Sequence, residues 1–276
     1  MKSLHKILLI SCILTLFNCT EEITPPSNFT PKVFIFGNID NTIGSLRIII
    51  GKTVPLNSTS TNPVNNAAIS LFTKDTNNNT SLVTDSFSIK NGIYESSQEI
   101  IPIIGNHYWI EVIVDDITYI SSQEILAPPI SIKNIEVVND QVRAVFSDPQ
   151  DETNHYLANF IFYDDSNNYI GERSELSNDV LFNGNTNAFI ETDKYYVSNI
   201  KTAAILVHLN FETYQFYQNI FTQENSNEGI DDEGGDPGRL FDPPPTDLTG
   251  NILNTKTNQF TLGNFGVIST SDEFRQ

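Results

Sequence analysis

Apolar residues in this chain occur in short runs that stop at glycine or at a pair of polar turn residues. Residues 33–36 form such a run before Gly37, and residues 46–50 form another before Gly51. Residues 107–115 alternate between two faces, which is typical of a strand with one side towards a core. Short runs bounded by turn residues indicate β-strands, so the chain is predicted to be mainly β.

Three residue pairs mark tight turns between predicted strands. They are Asn91-Gly92, Asp115-Asp116 and Asn139-Asp140, and each separates two apolar stretches. Asparagine, aspartate and glycine tolerate the left-handed backbone that two-residue hairpin turns need. We therefore expect hairpins around these pairs.

One helix is predicted, over residues 211–224. Asn210 precedes it as a cap, and Glu212 lies in its first turn, where a negative charge favours the helix dipole. Aromatic residues recur near one stripe of this helix, at Phe211, Tyr214, Tyr217 and Phe221. Residues 174–187, by contrast, are polar and are expected to form a loop.

The pair Pro128-Pro129 divides the chain into two predicted domains, because prolines do not join a central strand. Residues 31–127 are predicted to form an immunoglobulin-like or transthyretin-like β-sandwich. Residues 130–276 are predicted to form a second β-rich domain that contains the helix.

Residues 1–18 are predicted to be a lipoprotein signal peptide. Lysines precede an apolar run at 7–17 that is too short to span a bilayer as a helix. Leu16 lies three positions before Cys19, as in a bacterial lipobox, so Cys19 is the predicted site of lipidation by acyl chains such as palmitate. The alternative is an ordinary secretory signal that leaves Cys19 as a free thiol.

Residues 19–30 are predicted to be a polar tether between the lipid and the folded body. Within it, Glu21 and Glu22 resemble the acidic signal that sends lipoproteins of Bacteroidota to the outer face of the outer membrane. The alternative is that they are solvated linker residues. The net charge of −19 argues against nucleic acid and against docking on anionic lipid through charge.

The sequence contains none of the strong catalytic motifs, such as Gly-x-Ser-x-Gly, His-Glu-x-x-His or a P-loop. No catalytic residue is predicted, and the covalent lipid on Cys19 is the expected attached group. An acidic, glycine-rich stretch offers a weak calcium site, with a solvated loop as the favoured alternative. Its candidate ligands are Asp231, Asp232, Glu233 and Asp236.

Two aromatic features are candidate contacts for a ligand or partner. Trp109, the one tryptophan, can either stack on a sugar ring or fill the space between two layers. Phe241 precedes a stiff segment that loses little entropy when it binds a partner and that can alternatively brace the C-terminal strand. The prolines of that segment are Pro243, Pro244 and Pro245.

The C-terminal part carries three motifs in a fixed order. They are Phe241-Asp242-Pro243-Pro244-Pro245, Gly250-Asn251-Ile252 and Leu262-Gly263-Asn264-Phe265. Together with the lipobox and the strand order upstream, they resemble a lipoprotein family of Bacteroidota catalogued as domain of unknown function 4249. This resemblance implies a lipid-anchored protein of the outer membrane, often encoded beside a TonB-dependent transporter, and it implies no known reaction.

Three functions are weighed on these grounds. The preferred one is a non-enzymatic, surface-exposed lipoprotein that assists a TonB-dependent transporter in nutrient capture. The second is a structural or accessory subunit of a larger outer-membrane assembly. The third and weakest is a hydrolase built from the dispersed carboxylates Asp148, Asp151 and Glu152.

Overall fold

A computed structural model of the chain describes residues 29–55, 58, 60–150, 152–192, 200–227 and 248–275. Within these ranges the chain is mainly β, as predicted, with one α-helix and a 3-10 turn at Asp179–Leu181. The strands of the first half are β1 (Val33–Ile39), β2 (Arg47–Lys52), β3 (Ala68–Lys74), β4 (Thr80–Thr84), β5 (Phe87–Lys90), β6 (Ile93–Ser96), β7 (His107–Val114), β8 (Ile117–Ser121) and β9 (Glu124–Ile125). The later elements are β10 (Ile132–Val138), β11 (Gln141–Phe146), β12 (His155–Tyr163), β13 (Tyr169–Asn178), β14 (Ala188–Glu191), β15 (Lys201–Leu209), the helix α1 (Phe211–Asn227), β16 (Thr249–Asn254), β17 (Gln259–Val267) and β18 (Ser269–Arg275).

The largest sheet has 11 strands, which run in the order β4-β3-β7-β8-β16-β17-β1-β2-β6-β5, with β9 paired beside β7. One continuous core collects apolar side chains from strands far apart in this order, so the sheet curls on itself. Ile35 of β1 and Ile110 of β7, both fully buried, belong to that core. Their neighbours in sequence point to the opposite face, as the two-residue period of a strand requires.

The second half is a two-layer β-sandwich. A three-stranded sheet, β10-β11-β14, packs on a four-stranded sheet, β13-β12-β15-β18. Phe146 from one layer and Phe160 from the other are fully buried in the core between them. This arrangement accounts for the long aromatic strand in β12, because every second residue of that strand enters the core.

The chain returns to its first sheet after the helix. Strand β16 pairs with β8, and β17 pairs in parallel with β1, so residues 249–267 lie in the sheet of the first half. Only Ile268 then separates β17 from β18, which pairs with β15 in the sandwich. Residues Lys32–Gln276 form one compact unit by their contacts. The division at Pro128-Pro129 into separately folding domains stays a prediction, but strand pairing crosses it.

Helix α1 confirms the helix predicted over 211–224. Three residues of the predicted aromatic stripe, Tyr214, Tyr217 and Phe221, join an apolar cluster with Leu157 of the sandwich, whereas Phe211 is exposed. Phe216 lies off that stripe, and its ring centroid is 6.1 Å from that of Phe36 on the outer face of the first sheet. The side chain of Asn210 is bonded to the Ile125 and Val267 carbonyls, at 3.0 and 2.6 Å. Asn210 therefore joins the ends of β9 and β17 to the start of α1.

The three predicted turns are confirmed as two-residue turns with left-handed backbone. Both residues have positive φ in Asn91-Gly92, Asp115-Asp116 and Asn139-Asp140. This geometry matches the right-handed twist of the paired strands, which explains why asparagine, aspartate and glycine occupy it.

The loop predicted at 174–187 is wrong in its first part. Residues up to Asn178 belong to β13, a strand at the edge of the four-stranded sheet, and β14 begins at Ala188. Most side chains of β13 are exposed or half-buried, so the strand lacks the apolar alternation by which strands are detected.

Candidate functional site

A cleft of about 340 Å³ lies between α1 and the strands β16 and β17. Its lining residues are Glu212, Gln215, Phe216, Gln218 and Asn219 from the helix, and Thr249, Gly250, Asn251 and Phe260 from the strands. Side chains three and four positions apart share one face of a helix, which is why positions 212, 215, 216 and 219 all reach the same opening. The volume lies at the small end of the ~300–1,000 Å³ usual for small-molecule sites.

The chemistry of the cleft is polar, mostly uncharged, and partly aromatic. Among the described residues that line it, Glu212 is the one ionisable side chain, and the helix otherwise contributes three side-chain amides and the ring of Phe216. Phe260 is 58% exposed, so one large apolar ring stands at the opening. Amides both donate and accept hydrogen bonds, and the cleft can therefore serve a ligand with mixed donor and acceptor groups.

A buried carboxylate lies directly behind the cleft wall. Glu124, 5% exposed, accepts hydrogen bonds from the Asn251 amide at 3.1 Å, the Val267 backbone N–H at 3.0 Å and the Thr213 hydroxyl at 3.1 Å. Asn264 donates to the same hydroxyl at 3.0 Å. We call Glu124, Thr213, Asn251 and Asn264 the Glu124 network. It joins β9, α1, β16 and β17 at one point.

Electrostatics in this network favour the protonated acid. Burial raises the pKa of the Glu124 carboxyl to about 7, although the hydrogen bonds from Val267, Thr213 and Asn251 act in the opposite direction. The nearby Glu212 adds a smaller upward effect on this pKa. All donors are neutral, so no cation in the network compensates the buried charge. Glu124 therefore titrates near neutral pH.

Two of the three tail motifs, those that contain Asn251 and Asn264, contribute to this network. Pairing between β16 and β17 is interrupted after Thr249, and the Asn251 side chain fills the gap by bonding the Phe265 N–H and carbonyl at 2.9 and 2.8 Å. Asn264 accepts from the Asn251 N–H at 3.2 Å. Gly263 has φ +92, and a Cβ there would lie 1.9 Å from the Ile35 carbonyl oxygen. Asn251, Gly263 and Asn264 of these motifs therefore each have a structural role at their positions.

A second buried polar cluster lies in the sandwich, and we call it the sandwich network. Asp148 accepts from the Tyr156 hydroxyl at 2.5 Å and from the Gly184 N–H at 2.8 Å. Nearby, Asp179 accepts from the Asn154 N–H at 2.9 Å, and Asn154 meets the His208 ring at 3.1 Å. Its members are Asp148, Asn154, Tyr156, Asp179 and His208.

One member of the sandwich network, Asp148, was among the three carboxylates considered for a hydrolase. Asp148 is 5% exposed, and both of its oxygens hold structural groups. Asp151 lies outside the described residues, and Glu152 is exposed. Burial lowers the pKa of His208, so its ring favours the neutral form. These described groups fix turns and strand ends, and none of them lines the cleft between α1 and β16–β17.

Most predicted site residues lie outside the described residues. These are Cys19, Glu21, Glu22, Asp231, Asp232, Glu233, Asp236, Phe241, Pro243, Pro244 and Pro245. Trp109 is described, and it is 6% exposed and stacked on Phe72 with 5.5 Å between ring centroids. Its ring is a packing element in this structure.

Glu124 was missed by sequence reasoning because nothing local marks it. It stands next to Gln123, and the residues that bury it are distant in sequence. The tail motifs were the one available signal, because they contain Asn251 and Asn264. Within the described part of the chain, no group of three acidic, histidine or cysteine side chains is placed to hold a metal ion, and no helix there has the length and apolarity to cross a membrane.

Comparison with known protein families shows the family to which the chain belongs. The family described as Domain of unknown function (DUF4249) matches residues 20–273. The chain belongs to this family. No curated protein matches it.

Solved structures give only distant similarity. Trypsin-activated alpha-2-macroglobulin from Escherichia coli is 10% identical over 68% of this chain, with a TM-score of 0.20, and this chain spans 15% of its length. The calcium binding domain CBD12 of CALX1.1 is 9% identical over 86% of this chain and 98% of its own, with a TM-score of 0.19.

Proposed function

We propose that this member of DUF4249 is a non-enzymatic lipoprotein, anchored through Cys19 to the outer membrane and exposed at the cell surface. There it assists a TonB-dependent transporter in nutrient capture. Membership of the family, the lipobox and the acidic pair Glu21 and Glu22 support the location. Membrane attachment by several acyl chains leaves the folded body facing water.

The cleft between α1 and β16–β17 is the observation that carries the capture role. It is open, its lining is polar, and its one ionisable lining group among the described residues is Glu212. Such a surface suits reversible binding, since a ligand can exchange hydrogen bonds with amides without a covalent step. Glu124, the described carboxyl with the strongly raised pKa, is held behind the wall by protein donors and serves the fold.

The deciding experiment is purification of the full-length, tagged protein from its own membrane in mild detergent, followed by mass spectrometry. A β-barrel transporter in near-stoichiometric amount is expected. The matched control is the Cys19→Ser chain with the same tag, which should partition into the aqueous phase of a detergent separation. Recovery of the anchored protein without a barrel would overturn the transporter role.

Surface exposure has a separate test. Replacement of Glu21 and Glu22 by alanine should abolish cleavage by protease added to whole cells, while lipidation of Cys19 persists. Unchanged cleavage of that variant would contradict a role for the acidic pair in export.

A second candidate, a structural subunit of an outer-membrane assembly, is favoured by one loop. Ile101, Ile103 and Ile104 are exposed side by side, whereas Ile100 is buried in the core. Contiguous apolar side chains at a surface mark contact sites more often than single ones do. The double variant Ile103→Ser, Ile104→Ser should then lose the proteins that co-purify with the wild type. Leu82→Ser, at an exposed position of β4, is the control and should keep them.

A further inference from the structure

We infer that the cleft between α1 and β16–β17 binds a neutral saccharide, with Phe260 as the surface on which a sugar ring stacks. This inference rests on the proposed capture function and names the class of nutrient.

The charge of the cleft limits the ligand first. Glu212 is the ionisable group among its described lining residues, and the whole chain carries a net charge of −19. An anionic ligand would meet repulsion from both, and no lining cation is present among those residues to offset it. A neutral ligand has no such cost.

The hydrogen-bonding groups of the cleft match hydroxyls. Gln215, Gln218 and Asn219 present amides that donate through nitrogen and accept through oxygen, and the Glu212 carboxylate accepts. Each sugar hydroxyl also donates and accepts, so a row of hydroxyls can pair with a row of amides. The Asn251 amide is bonded within the Glu124 network, so its side chain serves the wall.

Phe260 supplies the apolar contact that a sugar needs. Its ring is 58% exposed at the cleft, where it is not needed to fill a core. A pyranose has a face of C–H groups, and covering that face with an aromatic ring removes apolar surface of both from water. Phe216, the other aromatic ring among the lining residues, is buried and belongs to the wall of the cleft.

Strand pairing argues against an extended peptide as the occupant. Peptides commonly bind by adding a strand to a free sheet edge. Beside the cleft, β16 pairs with β8 over residues 252–254 and with β17 on its other side, and β17 pairs with β16 and β1. Neither strand is therefore a free sheet edge, and the cleft offers a ligand mainly side chains.

The test is a binding screen of the full-length protein in detergent against defined probes. These are neutral oligosaccharides from glucan, mannan, xylan and galactan, an anionic oligogalacturonate, and a pool of tryptic peptides. At least one neutral oligosaccharide is expected to bind. Phe260→Ala should weaken that binding by about tenfold, since a stacked ring contributes on the order of 1 kcal/mol.

The matched control is Tyr169→Ala, which removes a ring of equal exposure, 59%, from the far end of β13. It should leave binding within about twofold, a change below ~0.5 kcal/mol. Thermal unfolding of both variants checks that they remain folded, as expected for exposed positions. A third variant in which Gln215 and Asn219 are both alanine should also lose binding.

Two results overturn the saccharide inference. One is the absence of binding by every neutral oligosaccharide, and the other is binding that Phe260→Ala leaves unchanged. Preferential binding of the peptide pool or the oligogalacturonate would likewise contradict it. Co-purification of a transporter without saccharide binding would leave the proposed function standing and remove this inference alone. Saccharide binding without co-purification of a transporter would leave this inference standing and remove the transporter role alone.

Discussion

Each of the two buried polar networks of this protein satisfies a buried carboxyl group with neutral hydrogen-bond donors, but the two networks connect different parts of the chain. In the sandwich network, Asp148 holds a phenol and a backbone N–H of its own sandwich, so it fixes a turn within one half of the chain. In the Glu124 network, one carboxylate gathers groups from β9, α1, β16 and β17, which belong to distant parts of the sequence. The first network stabilises a local arrangement, whereas the second holds the returning strands and the helix together.

The networks also differ in their access to solvent-exposed surface. Asn251 lines the cleft and bonds Glu124, so a single hydrogen bond separates the buried acid from the cleft wall. A change in the charge of Glu124 can therefore alter the wall where a ligand would bind. None of the five members of the sandwich network is among the residues that line this cleft. Four predictions test this contrast, from the largest expected effect to the smallest.

Gly263→Ala should have the largest effect, because it disturbs the backbone that carries the Glu124 network. The new Cβ would lie 1.9 Å from the Ile35 carbonyl oxygen, at a φ of +92 that side chains rarely adopt. We expect a loss of more than about 3 kcal/mol in the free energy of unfolding, or no folded protein.

The control for this substitution is Gly44→Ala, whose added Cβ meets nothing within 4 Å. It should change stability by less than about 1 kcal/mol. Urea unfolding followed by circular dichroism measures both variants. Equal midpoints for Gly263→Ala and wild type would refute the close approach of β17 to β1.

Glu124→Gln should remove a pH dependence of stability. The folded pKa is raised from 4.5 to about 7, so the folded state binds the proton more tightly than the unfolded state does. Stability from this group is therefore present below pH ~4.5, falls as pH rises, and is fully lost above pH ~7. The shift from 4.5 to about 7 corresponds to a loss of about 3 kcal/mol across this window.

Urea unfolding at pH 5, 6, 7 and 8 gives the measurement. The difference in unfolding free energy between Glu124→Gln and wild type should move by about 3 kcal/mol in favour of the variant as pH rises. Glu99→Gln, at an exposed loop position, should follow wild type at every pH. Parallel curves for wild type and Glu124→Gln would show that the carboxyl is not desolvated.

Tyr156→Phe tests the sandwich network. The change leaves a buried oxygen of Asp148 without its donor, which should reduce the free energy of unfolding by about 2 kcal/mol. Burial and the hydrogen bond to Asp148 raise the pKa of Tyr156, so the hydroxyl keeps its proton in neutral buffers. The loss should therefore be similar at pH 6 and pH 8, unlike the effect of Glu124→Gln.

Tyr169→Phe, which removes an exposed hydroxyl from β13, is the control and should be neutral. Binding at the cleft should be unchanged in Tyr156→Phe, since the sandwich network does not reach it. A loss of ligand binding in this variant would contradict the separation of the two networks.

The contrast also explains what could be read from sequence. Strands such as β7 and β12 were predictable because one face of each enters a core, and the turn at Asp115-Asp116 was predictable because its left-handed backbone restricts the residue types. Edge strands β13 and β18 were missed because their exposed side chains follow no period. Local pattern carries information about faces and turns, and about little else.

The candidate site was not predictable from local pattern for a different reason. Glu124 and Asn251 are 127 positions apart, and nothing near either one reports the other. The tail motifs pointed to the right strands, but a motif does not reveal that its asparagine replaces missing strand hydrogen bonds. The parallel pairing of β17 with β1 likewise leaves no local signal, since it joins residues as distant in sequence as Phe34 and Leu262.

The smallest predicted effect concerns the link between the cleft surface and the buried acid. Glu212 raises the pKa of Glu124, yet as a residue in the first turn of α1 it also interacts favourably with the helix dipole. Glu212→Gln should therefore cost a few tenths of a kcal/mol at pH 5.5, where Glu124 is protonated, and less at pH 8, where the repulsion is relieved. A double-mutant cycle with Glu124→Gln at pH 8 should give a coupling of roughly 0.3 kcal/mol that shrinks in 1 M salt. The control is the same cycle with Glu99→Gln in place of Glu212→Gln, and it should give no coupling energy with Glu124→Gln. A cycle with zero coupling at low salt would mean that the charge at the cleft and the buried carboxyl do not sense each other, and the cleft would then be electrostatically independent of the network behind it.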